Sequence, residues 1–433
     1  MSAPEARASH PADTEKRRRR LVIAALYLAY ASYYLCRANV DASLPLLSAA
    51  YGYDKESLGR LASLAILCYA VGKILFGPVG DVIGGRRLLA ISIAGSVVAS
   101  VGFGFSSSLL LFTFFAGANR CFQSGGWVGV VHVASRELAP SERGSKMGIM
   151  STSFEVGNVA SLLLCGALVG AGLGWRALFV VNPALFAVIG FIAIALLGWV
   201  NPRASFHDRD APREGRAEGD GGRVFDRLLW LIGVRSFWIA LTLSFLLTFV
   251  RAGFATWIPM FLADLAQRSG GTTSGALMQS AIFPAAGFLG ALAAGTVSDR
   301  FGPGRRAPVI AGSLALLVLA ILLLAHGGVD DRRTALIAIG ACGLFLLGPY
   351  SLVGGAIVLD VGAGRAAGTA AGLVDASGYL GASMGGVLLG MLAERHGWSS
   401  AFDALASAAL LACMVATIWW LGAGARVPSR EAA

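Results

Sequence analysis

The chain contains the stretch GPVGDVIGGRR (residues 77–87), which recurs in its second half as GTVSDRFGPGRR (residues 295–306). Each copy follows an apolar segment, includes an aspartate (Asp81 or Asp299) and ends in a pair of arginines. The two aspartates are 218 positions apart (299 − 81). One basic turn of this kind would be ordinary, but two copies at matching places predict a chain built from two similar halves.

Composition assigns this chain to the membrane proteins. Of its 433 residues, 56% are hydrophobic and 14% are charged, and the mean hydropathy is +0.69. A soluble domain has about 25% charged residues. Apolar stretches near the roughly 20 residues that cross a bilayer recur along the whole length. They predict an all-α integral membrane protein with twelve spans. The predicted spans cover residues 21–47, 57–79, 88–105, 109–134, 147–171, 176–199, 236–265, 274–297, 307–326, 334–359, 366–392 and 399–422.

A hydrophilic stretch, NPRASFHDRDAPREGRAEGDGGRVFDR (201–227), divides the predicted spans six and six. Its Gly, Arg and Asp content is typical of a flexible linker. Two parallel repeats of six helices, with substrate bound near the midplane between them, describe the major facilitator architecture. We therefore expect two pseudo-symmetric six-helix bundles. The predicted parts are an N-terminal tail (1–20), a first bundle (21–200), a cytoplasmic linker (201–235), a second bundle (236–422) and a C-terminal tail (423–433).

Basic residues are distributed unevenly between the two faces of the membrane. Of the 35 Lys and Arg residues, 24 fall in the terminal segments and even-numbered loops, seven near the opposite face and four inside spans. This bias follows the positive-inside rule, and it predicts that both termini lie in the cytoplasm. The formal net charge of +10 therefore orients the protein, and we expect no nucleic-acid partner.

The sequence lacks the motifs of common enzymes and metal sites. It has no phosphate-binding loop (GxxxxGK with Ser or Thr as the next residue), no nucleophile elbow and no pattern of residues spaced as metal ligands. Its six cysteines form no CxxC pair. We expect no catalysis, no metal and no cofactor.

Two arginines stand alone within long apolar segments, at corresponding places in the two halves. Arg37 lies in LYLAYASYYLCRANVDASLPLL and Arg251 in ALTLSFLLTFVRAGFATWIPMFL, 214 positions apart (251 − 37). A guanidinium at the middle of a bilayer costs about 2.5–3.5 kcal/mol on insertion scales, so it seldom persists without a partner or a task. Two such groups placed symmetrically predict a site for a small anion.

Several segments resemble the organophosphate:phosphate antiporters, the branch of the major facilitator superfamily that includes glycerol-3-phosphate and hexose-phosphate carriers. YYLCRANVDASLP (33–45) is similar to their Tyr-Tyr-x-x-Arg-x-Asn segment, and FVRAGFATWIPMFL (249–262) to their seventh helix. FQSGGW (122–127), SERG (141–144) and RAAGTAAGLVDASGYLGA (365–382) resemble their fourth helix, the loop after it and their eleventh helix. The resemblance therefore extends over both halves.

This resemblance implies transport of a phosphate ester, with Arg37 and Arg251 binding the phosphoryl group. A guanidinium presents a planar fork that binds two phosphate oxygens and stays charged at any working pH. The other substrate-binding residues that it suggests are Lys73, Tyr33, Tyr34, Tyr379, Trp257 and Gln123. Structural interpretations stay open, since Lys73 can extend toward the cytoplasm and the tyrosines can be packing residues.

Three charged residues depart from the family pattern. Glu155 occupies about the place of a substrate-facing histidine, Arg120 lies in a helix segment that is usually uncharged, and Asp375 is added to the eleventh helix. One interpretation is structural: Glu155 pairs with Arg120, and Asp375 lies near a helix end or pairs with Arg251. The other makes one carboxylate a proton site, because burial penalises the charged form of an acid.

The sequence favours a monomeric secondary transporter of a small organic anion, with a phosphate ester as the leading candidate. It would work by rocker-switch alternating access, by antiport with phosphate or by proton symport. The repeated loops would form a charge latch that opens and closes as the halves rock. The predicted gating residues are Asp81, Arg86, Arg87, Asp299, Arg305 and Arg306. A membrane sensor that binds a sugar phosphate and signals to a histidine kinase is the alternative. A proton-driven drug exporter ranks third, because an arginine-lined cavity suits anions.

Overall fold

The computed structural model describes residues 11–137, 140–200, 231–301, 306–353 and 367–424. These residues form helices and no strand. The predicted linker falls largely on residues 201–230, and the ends of the predicted tails on residues 1–10 and 425–433, all outside the described residues.

The helices of the first half follow the predicted spans with longer ends. They are α1 (Pro11–Ser32), a 3₁₀ turn (Tyr33–Cys36), α2 (Ala38–Tyr51), α3 (Lys55–Ile83), α4 (Gly85–Gly104), α5 (Leu109–Glu137), α6 (Pro140–Gly170), a second 3₁₀ turn (Trp175–Ala177) and α7 (Leu178–Val200). The first predicted span is thus two helices, α1 and α2, joined by the 3₁₀ turn.

The helices of the second half follow the remaining predicted spans. They are α8 (Arg235–Arg268), α9 (Thr273–Ser280), α10 (Ile282–Phe301), α11 (Arg306–Leu323), a π turn (Leu324–Gly328), α12 (Arg332–Leu352), α13 (Ala367–His396) and α14 (Trp398–Gly424). Side-chain caps define several starts: Asp54 accepts from Ser57 N–H before α3, and Asp331 accepts from Thr334 N–H before α12. Such caps satisfy backbone donors that have no partner within the helix.

Eleven stretches of the described residues are helical, long and apolar enough to cross a membrane. The predicted fourth span, α5, has 29 residues but is not among the eleven. Its hydropathy is lower because Asn119, Arg120, Gln123 and Ser124 lie at its centre. Three of these side chains are buried and Arg120 is half-buried, so the polar centre of α5 faces protein rather than lipid.

Helix packing repeats between the halves. Helix α3 packs on α5 as α10 packs on α12, and α4 packs on α7 as α11 packs on α14. Helix α1 contacts α7 as α8 contacts α14. The described helices therefore form two pseudo-symmetric bundles, as the duplicated sequence predicts.

The two bundles meet through α3 against α13, through α6 against α9 and α10, and through α2 against α8. At the start of α3 the contact is close. Ser63 Oγ accepts from Val387 N–H at 2.8 Å, and a Cβ on Gly59 would lie 2.5 Å from the carbonyl oxygen of Gly386. Small residues at these places let the two backbones approach.

Ion pairs reinforce the contact at this end of the molecule, which we call the closed face. Lys55 Nζ lies 3.1 Å from Asp264 Oδ2, and Arg395 donates to Glu56 at 2.9 Å. The backbone N–H of Lys55 also donates to Glu394 at 3.0 Å. Each of these contacts joins the first bundle to the second, so the halves are held together at the closed face.

Candidate functional site

A cavity of about 160 Å³ lies between the two bundles. A smaller pocket of about 70 Å³ adjoins it and shares five of its lining residues. The shared residues are Tyr34, Arg37, Tyr69, Arg251 and Tyr379. Both isolated arginines therefore line one cavity, although they come from different halves of the chain.

Arg37 follows the 3₁₀ turn that interrupts the first span. Its Nε donates to Gln123 Oε1 at 2.8 Å, and its terminal nitrogen donates to the Tyr34 hydroxyl at 3.2 Å. The guanidinium also lies over the rings of Tyr34 and Tyr69, 4.9 Å and 4.7 Å from their centroids. Aromatic faces attract a cation without neutralising it, so these contacts position Arg37 and leave its charge available.

Arg251 lies on α8 and faces the cavity from the second half. Its guanidinium is 4.7 Å from the ring centroid of Tyr350. Its Nε is buried and has no hydrogen-bond partner among the described residues. A buried donor without an acceptor is costly, so this nitrogen is suited to an acceptor brought by a ligand.

The other charged side chains that line the cavity and its adjoining pocket are paired. Lys73 on α3 donates to Asp375 on α13, and Arg120 on α5 lies 3.4 Å from Asp41 on α2. The structural interpretation of the sequence predicted the wrong partner for both Arg120 and Asp375. Arg120 pairs with Asp41 rather than with Glu155, and Asp375 pairs with Lys73 rather than with Arg251. The reason is geometric: side-chain direction around each helix, not sequence position, decides which charges meet.

The cavity and its adjoining pocket have a positive excess. Their walls contain four basic side chains and two carboxylates, which leaves two positive charges (4 − 2). The basic residues are Arg37, Lys73, Arg120 and Arg251, and the acids are Asp41 and Asp375. Because Lys73 and Arg120 have acidic partners, the excess belongs to Arg37 and Arg251. Neither of these arginines forms an ion pair within the described part of the chain.

Glu155 is buried on α6, with 4% of its surface exposed. It interacts electrostatically with Arg251, but no hydrogen bond or ion pair joins it to a described residue. Its neighbour Phe154 lines the cavity, and Asn158, one turn later, lines the adjoining pocket. The carboxyl group therefore lies beside the cavity as a buried acid without a close partner.

Three of the predicted substrate-binding residues do not line the cavity. The Tyr33 hydroxyl donates to Leu89 O at 3.4 Å, and its ring packs on Phe186 inside the first bundle. Trp257 is 2% exposed and donates to Gly385 O at 3.3 Å in the contact between α8 and α13. These two predictions were wrong, because neighbouring residues on one helix face different surroundings.

Gln123 also lies behind the cavity wall. It is 1% exposed, accepts from Arg37 Nε and donates to Cys36 O at 2.9 Å. The prediction that it binds substrate is replaced by a positioning role, because it fixes Arg37 from the side away from the cavity. Lys73, Tyr34 and Tyr379 do line the cavity.

Sequence reasoning missed several residues of the cavity wall. They are Tyr30, Tyr69, Tyr350, Trp127, Phe154, Asp41 and Asn158. A signal was present for three of them. Tyr30 and Asp41 lie four to seven positions from Arg37 in the same apolar segment. Tyr69 is similarly four positions before Lys73.

The predicted gating residues lie at helix ends away from the closed face. Asp81 is near the end of α3, Arg86 and Arg87 are in the first turn of α4, and Asp299 is near the end of α10. Arg306 begins α11, whereas Arg305 lies outside the described residues. Arg86 packs against Gly198 of α7, within the first bundle. A gating role for these residues stays a prediction.

Two helical bundles related by pseudo-symmetry, with a cationic cavity between them, define a membrane carrier. The chain belongs to the Major Facilitator Superfamily, whose family model matches residues 26–348 and 281–433. The predicted fold class is thereby confirmed. The family consists of transport proteins, so the expectation that the chain is not an enzyme is confirmed too.

Relatives confirm the organophosphate:phosphate antiporter branch. A probable hexose phosphate transport protein of Chlamydia pneumoniae is 28% identical over 91% of this chain and 90% of its own length. The glycerol-3-phosphate transporter of Bacillus subtilis is 27% identical, with 94% and 93% covered. The membrane sensor protein UhpC of Escherichia coli is 26% identical, with 92% and 91% covered.

Solved structures share the fold at low sequence identity. A bacterial homolog of the human lysosomal transporter Spinster, in an inward-facing and unoccupied conformation, superposes with a TM-score of 0.73 at 16% identity. The match covers 94% of this chain and 98% of that one. A mutant of the nucleoside transporter NupG has a TM-score of 0.71 at 15% identity, with 93% and 99% covered.

Proposed function

We propose that the protein is a secondary transporter of a small phosphorylated organic anion, which Arg37 and Arg251 bind together in the central cavity. The observation that carries this proposal is the position of the two guanidinium groups. They come from opposite halves, line one cavity and lack carboxylate partners among the described residues. The buried Nε of Arg251 has no acceptor there either, and a phosphate oxygen would supply one.

Charge and size support a phosphate ester as the cargo. A phosphate monoester carries about −1.5 to −2 at neutral pH, which matches the two positive charges that the cavity walls leave unpaired. The cavity of about 160 Å³ equals about five water molecules at roughly 30 Å³ each. A phosphoryl group with a short carbon chain fits this space better than a nucleotide does.

Alternating access follows from where the two arginines are attached. An anion that bridges Arg37 and Arg251 attracts both halves, whereas the empty site keeps two like charges apart. Binding therefore favours closure around the cargo, and the pairs of Lys55 with Asp264 and of Arg395 with Glu56 must then separate to open the closed face. Exchange for phosphate and symport with protons are both compatible with this cycle.

The relatives and the charge bias support the setting of this transport. We propose a monomer in the inner membrane of a bacterium, with both termini in the cytoplasm. The closed face would then be periplasmic, since α3 begins there after one crossing by α1 and α2. Labelling of single cysteines placed near residue 52 and in the linker, from each side of intact cells, tests this orientation.

A thermal-shift screen of the purified protein tests the proposed cargo. The probes are inorganic phosphate, glycerol 3-phosphate, glucose 6-phosphate, a phosphonate and a sugar acid. A ligand at one hundred times its Kd stabilises by about 2.7 kcal/mol, so phosphorylated probes should raise Tm in the native protein and not in Arg251→Ala. The matched control is Arg268→Ala, whose side chain is half exposed at the closed face. Stabilisation by the sugar acid alone would contradict a phosphorylated cargo.

A sensor is the second candidate, because the UhpC sensors of Escherichia coli and Salmonella typhimurium are 26% and 27% identical over more than nine tenths of this chain. A sensor and a transporter would bind the same ligand. Flux into vesicles separates them: a transporter moves labelled ester across the bilayer, whereas binding without flux favours the sensor.

A further inference from the structure

Glu155 is the feature of the site that phosphate binding alone does not explain. Its side chain is 4% exposed, and it forms no hydrogen bond or ion pair with a described residue. A buried carboxylate in this situation is strongly disfavoured unless a cation lies near it or a proton neutralises it. Its state of charge therefore depends on what else occupies the cavity.

Arg251 is the cation on which that charge depends. Among the described residues, the titratable groups that interact electrostatically with Glu155 are Arg251 on α8 and Tyr34 on the 3₁₀ turn. Of the other elements packed on α6, α7 and α9 have no ionisable side chain, and α10 has ionisable side chains only at Asp299 and Arg300, in its last turn. Asp41 on α2 and Arg120 on α5 pair with each other, and Tyr27 on α1 bonds to Thr152.

In the empty site at mildly alkaline pH, Arg251 is the cation that stabilises an ionised Glu155. A phosphoryl group on Arg251 removes this support, because it places two negative charges beside the carboxylate. Like charges repel more strongly beside a buried group than they do in bulk water. The carboxylate then has to turn toward water, pair with another cation or take up a proton. Its burial prevents the first, and the existing ion pairs of Lys73 and Arg120 prevent the second.

We propose that Glu155 binds one proton when the phosphate ester occupies the site, so that the protein is a proton-coupled symporter of the anion. This inference rests on the proposed function. Its charge balance is complete at mildly alkaline pH: the empty site then has Arg37, Arg251 and ionised Glu155, with a net charge of +1. A dianionic ester with one proton on Glu155 brings the net charge to zero, whereas the ester alone would leave −1. A loaded site with no net charge can be closed off from water at the lowest desolvation free energy.

Proton uptake on ligand binding tests the proposal directly. Glycerol 3-phosphate or glucose 6-phosphate is added to weakly buffered, purified protein at mildly alkaline pH, where the ester is already a dianion, since its second pKa is about 6. We expect uptake that approaches one proton per ester bound in the native protein. Glu155→Gln, an uncharged substitute for the protonated acid, should bind the ester with no uptake.

Affinity and flux give two further readouts. Linkage requires the native affinity to weaken as pH rises, by up to about tenfold per pH unit, whereas Glu155→Gln should stay flat. In vesicles, an inward proton gradient should drive accumulation by the native protein. Glu155→Gln should keep only exchange of internal for external ester. Asp330→Asn, an acid-to-amide change at an exposed surface position, is the matched control and should behave as native.

The outcomes separate this inference from the proposed function. Ester binding by the native protein without proton uptake overturns the proton site and leaves phosphate transport standing. Equal uptake in Glu155→Gln and in the native protein also overturns it. If no phosphorylated probe binds, the proposed function itself fails. Should Glu155→Gln not fold, the native titration still decides, and Glu155→Asp, which retains an acid, should retain the uptake.

Discussion

Lys73 on α3 donates a hydrogen bond to Asp375 on α13, and this ion pair joins the two bundles at the wall of the central cavity. Lys73 also lies 4.7 Å from the ring centroid of Tyr379, which lines the same cavity. The pair neutralises a cation that would otherwise add to Arg37 and Arg251. It therefore helps to set the net charge that a bound anion meets.

A double-mutant cycle on this pair should be strongly non-additive. Lys73→Gln leaves the Asp375 carboxylate unpaired near the anion, so we expect weaker binding of phosphate esters. Lys73→Gln with Asp375→Asn restores the net charge and should recover much of that loss. We expect a coupling of about 0.5–3 kcal/mol in the binding free energy, the range for groups in contact. Titration of Tm with glycerol 3-phosphate measures it, and additive single effects would contradict the pairing.

Replacement of either cavity arginine by lysine should impair transport while the charge is kept. Arg37→Lys and Arg251→Lys lose the planar fork that binds two oxygens at once. One hydrogen bond to a charged group is worth about 1.5–3 kcal/mol, so kcat/KM for ester uptake should fall about 10- to 150-fold. Uptake into vesicles is the measurement, with Arg268→Lys as the control at the closed face. Near-normal uptake by either cavity variant would refute the two-arginine site.

Gln123 should act through Arg37 rather than on the substrate. Gln123→Leu removes the acceptor of Arg37 Nε and should raise KM for the ester. Gln123→Glu keeps an acceptor but adds a carboxylate that would neutralise Arg37, so its loss of uptake should be larger. Both variants lose the donor to Cys36 O, so a purely structural role predicts that Gln123→Glu, which is closer to Gln in shape, is the milder of the two. Uptake by Gln123→Glu that matches the native rate would exclude a positioning role.

Gly59 should be required for closure at the closed face. A Cβ there would lie 2.5 Å from Gly386 O and 3.1 Å from the Trp257 ring, so Gly59→Val should hold the halves apart and reduce transport. The control is Gly77→Val in the same helix, where a Cβ meets nothing within 4 Å.

Thiol labelling would report that opening. With the six native cysteines replaced, Ala382→Cys places a thiol at the adjoining pocket. An impermeant reagent added at the closed face should label it faster in Gly59→Val than in Gly77→Val. Equal labelling rates would mean that this contact does not control access.

The cap of α3 gives a prediction for stability against pH. Hydrogen bonds from Ser57, first from its side chain and then from its backbone, lower the pKa of Asp54 below its usual value. The stabilisation is therefore present above the unfolded pKa, about 3.9, and is lost as pH falls through the folded pKa. Asp54→Ala should cost about 0.5–2 kcal/mol at neutral pH.

Unfolding in detergent at neutral pH and at a pH well below the unfolded pKa of about 3.9 would check this cap. The difference between Asp54→Ala and the native protein should narrow at the lower pH. Asp54→Asn retains an acceptor that does not titrate, so its stability should show less pH dependence. A gap of constant size would contradict the cap as the source.

Hydropathy predicted the helices, and isolated charges predicted the two cavity arginines. Both signals exist because the membrane restricts which residues a span can contain. A span must be long and apolar, and a lone guanidinium within it must have a reason. The rotation of each helix is not imposed in this way. Tyr33 and Tyr34 are adjacent in the sequence, yet the first packs inside a bundle and the second lines the cavity.

Charge partners were harder to predict for the same reason. Asp41, Glu155 and Asp375 were each within reach of several cations in principle, and only the packed helices select among them. The interruption after Ser32 also has no strong sequence signal, since neither Gly nor Pro occurs in Tyr33–Cys36. It changes the direction of the side chains that follow, including that of Arg37.

That interruption has a mechanical consequence. The carbonyl oxygen of Cys36 accepts from Asn119 and Gln123 on α5 instead of from its own helix. The first span therefore consists of two helices, α1 and α2, which meet at a turn beside Arg37. A cargo that binds the guanidinium would therefore exert its force at this turn. We therefore expect α2 to tilt toward the second bundle while α1 keeps its place, so that a local bend accompanies the movement of a whole domain.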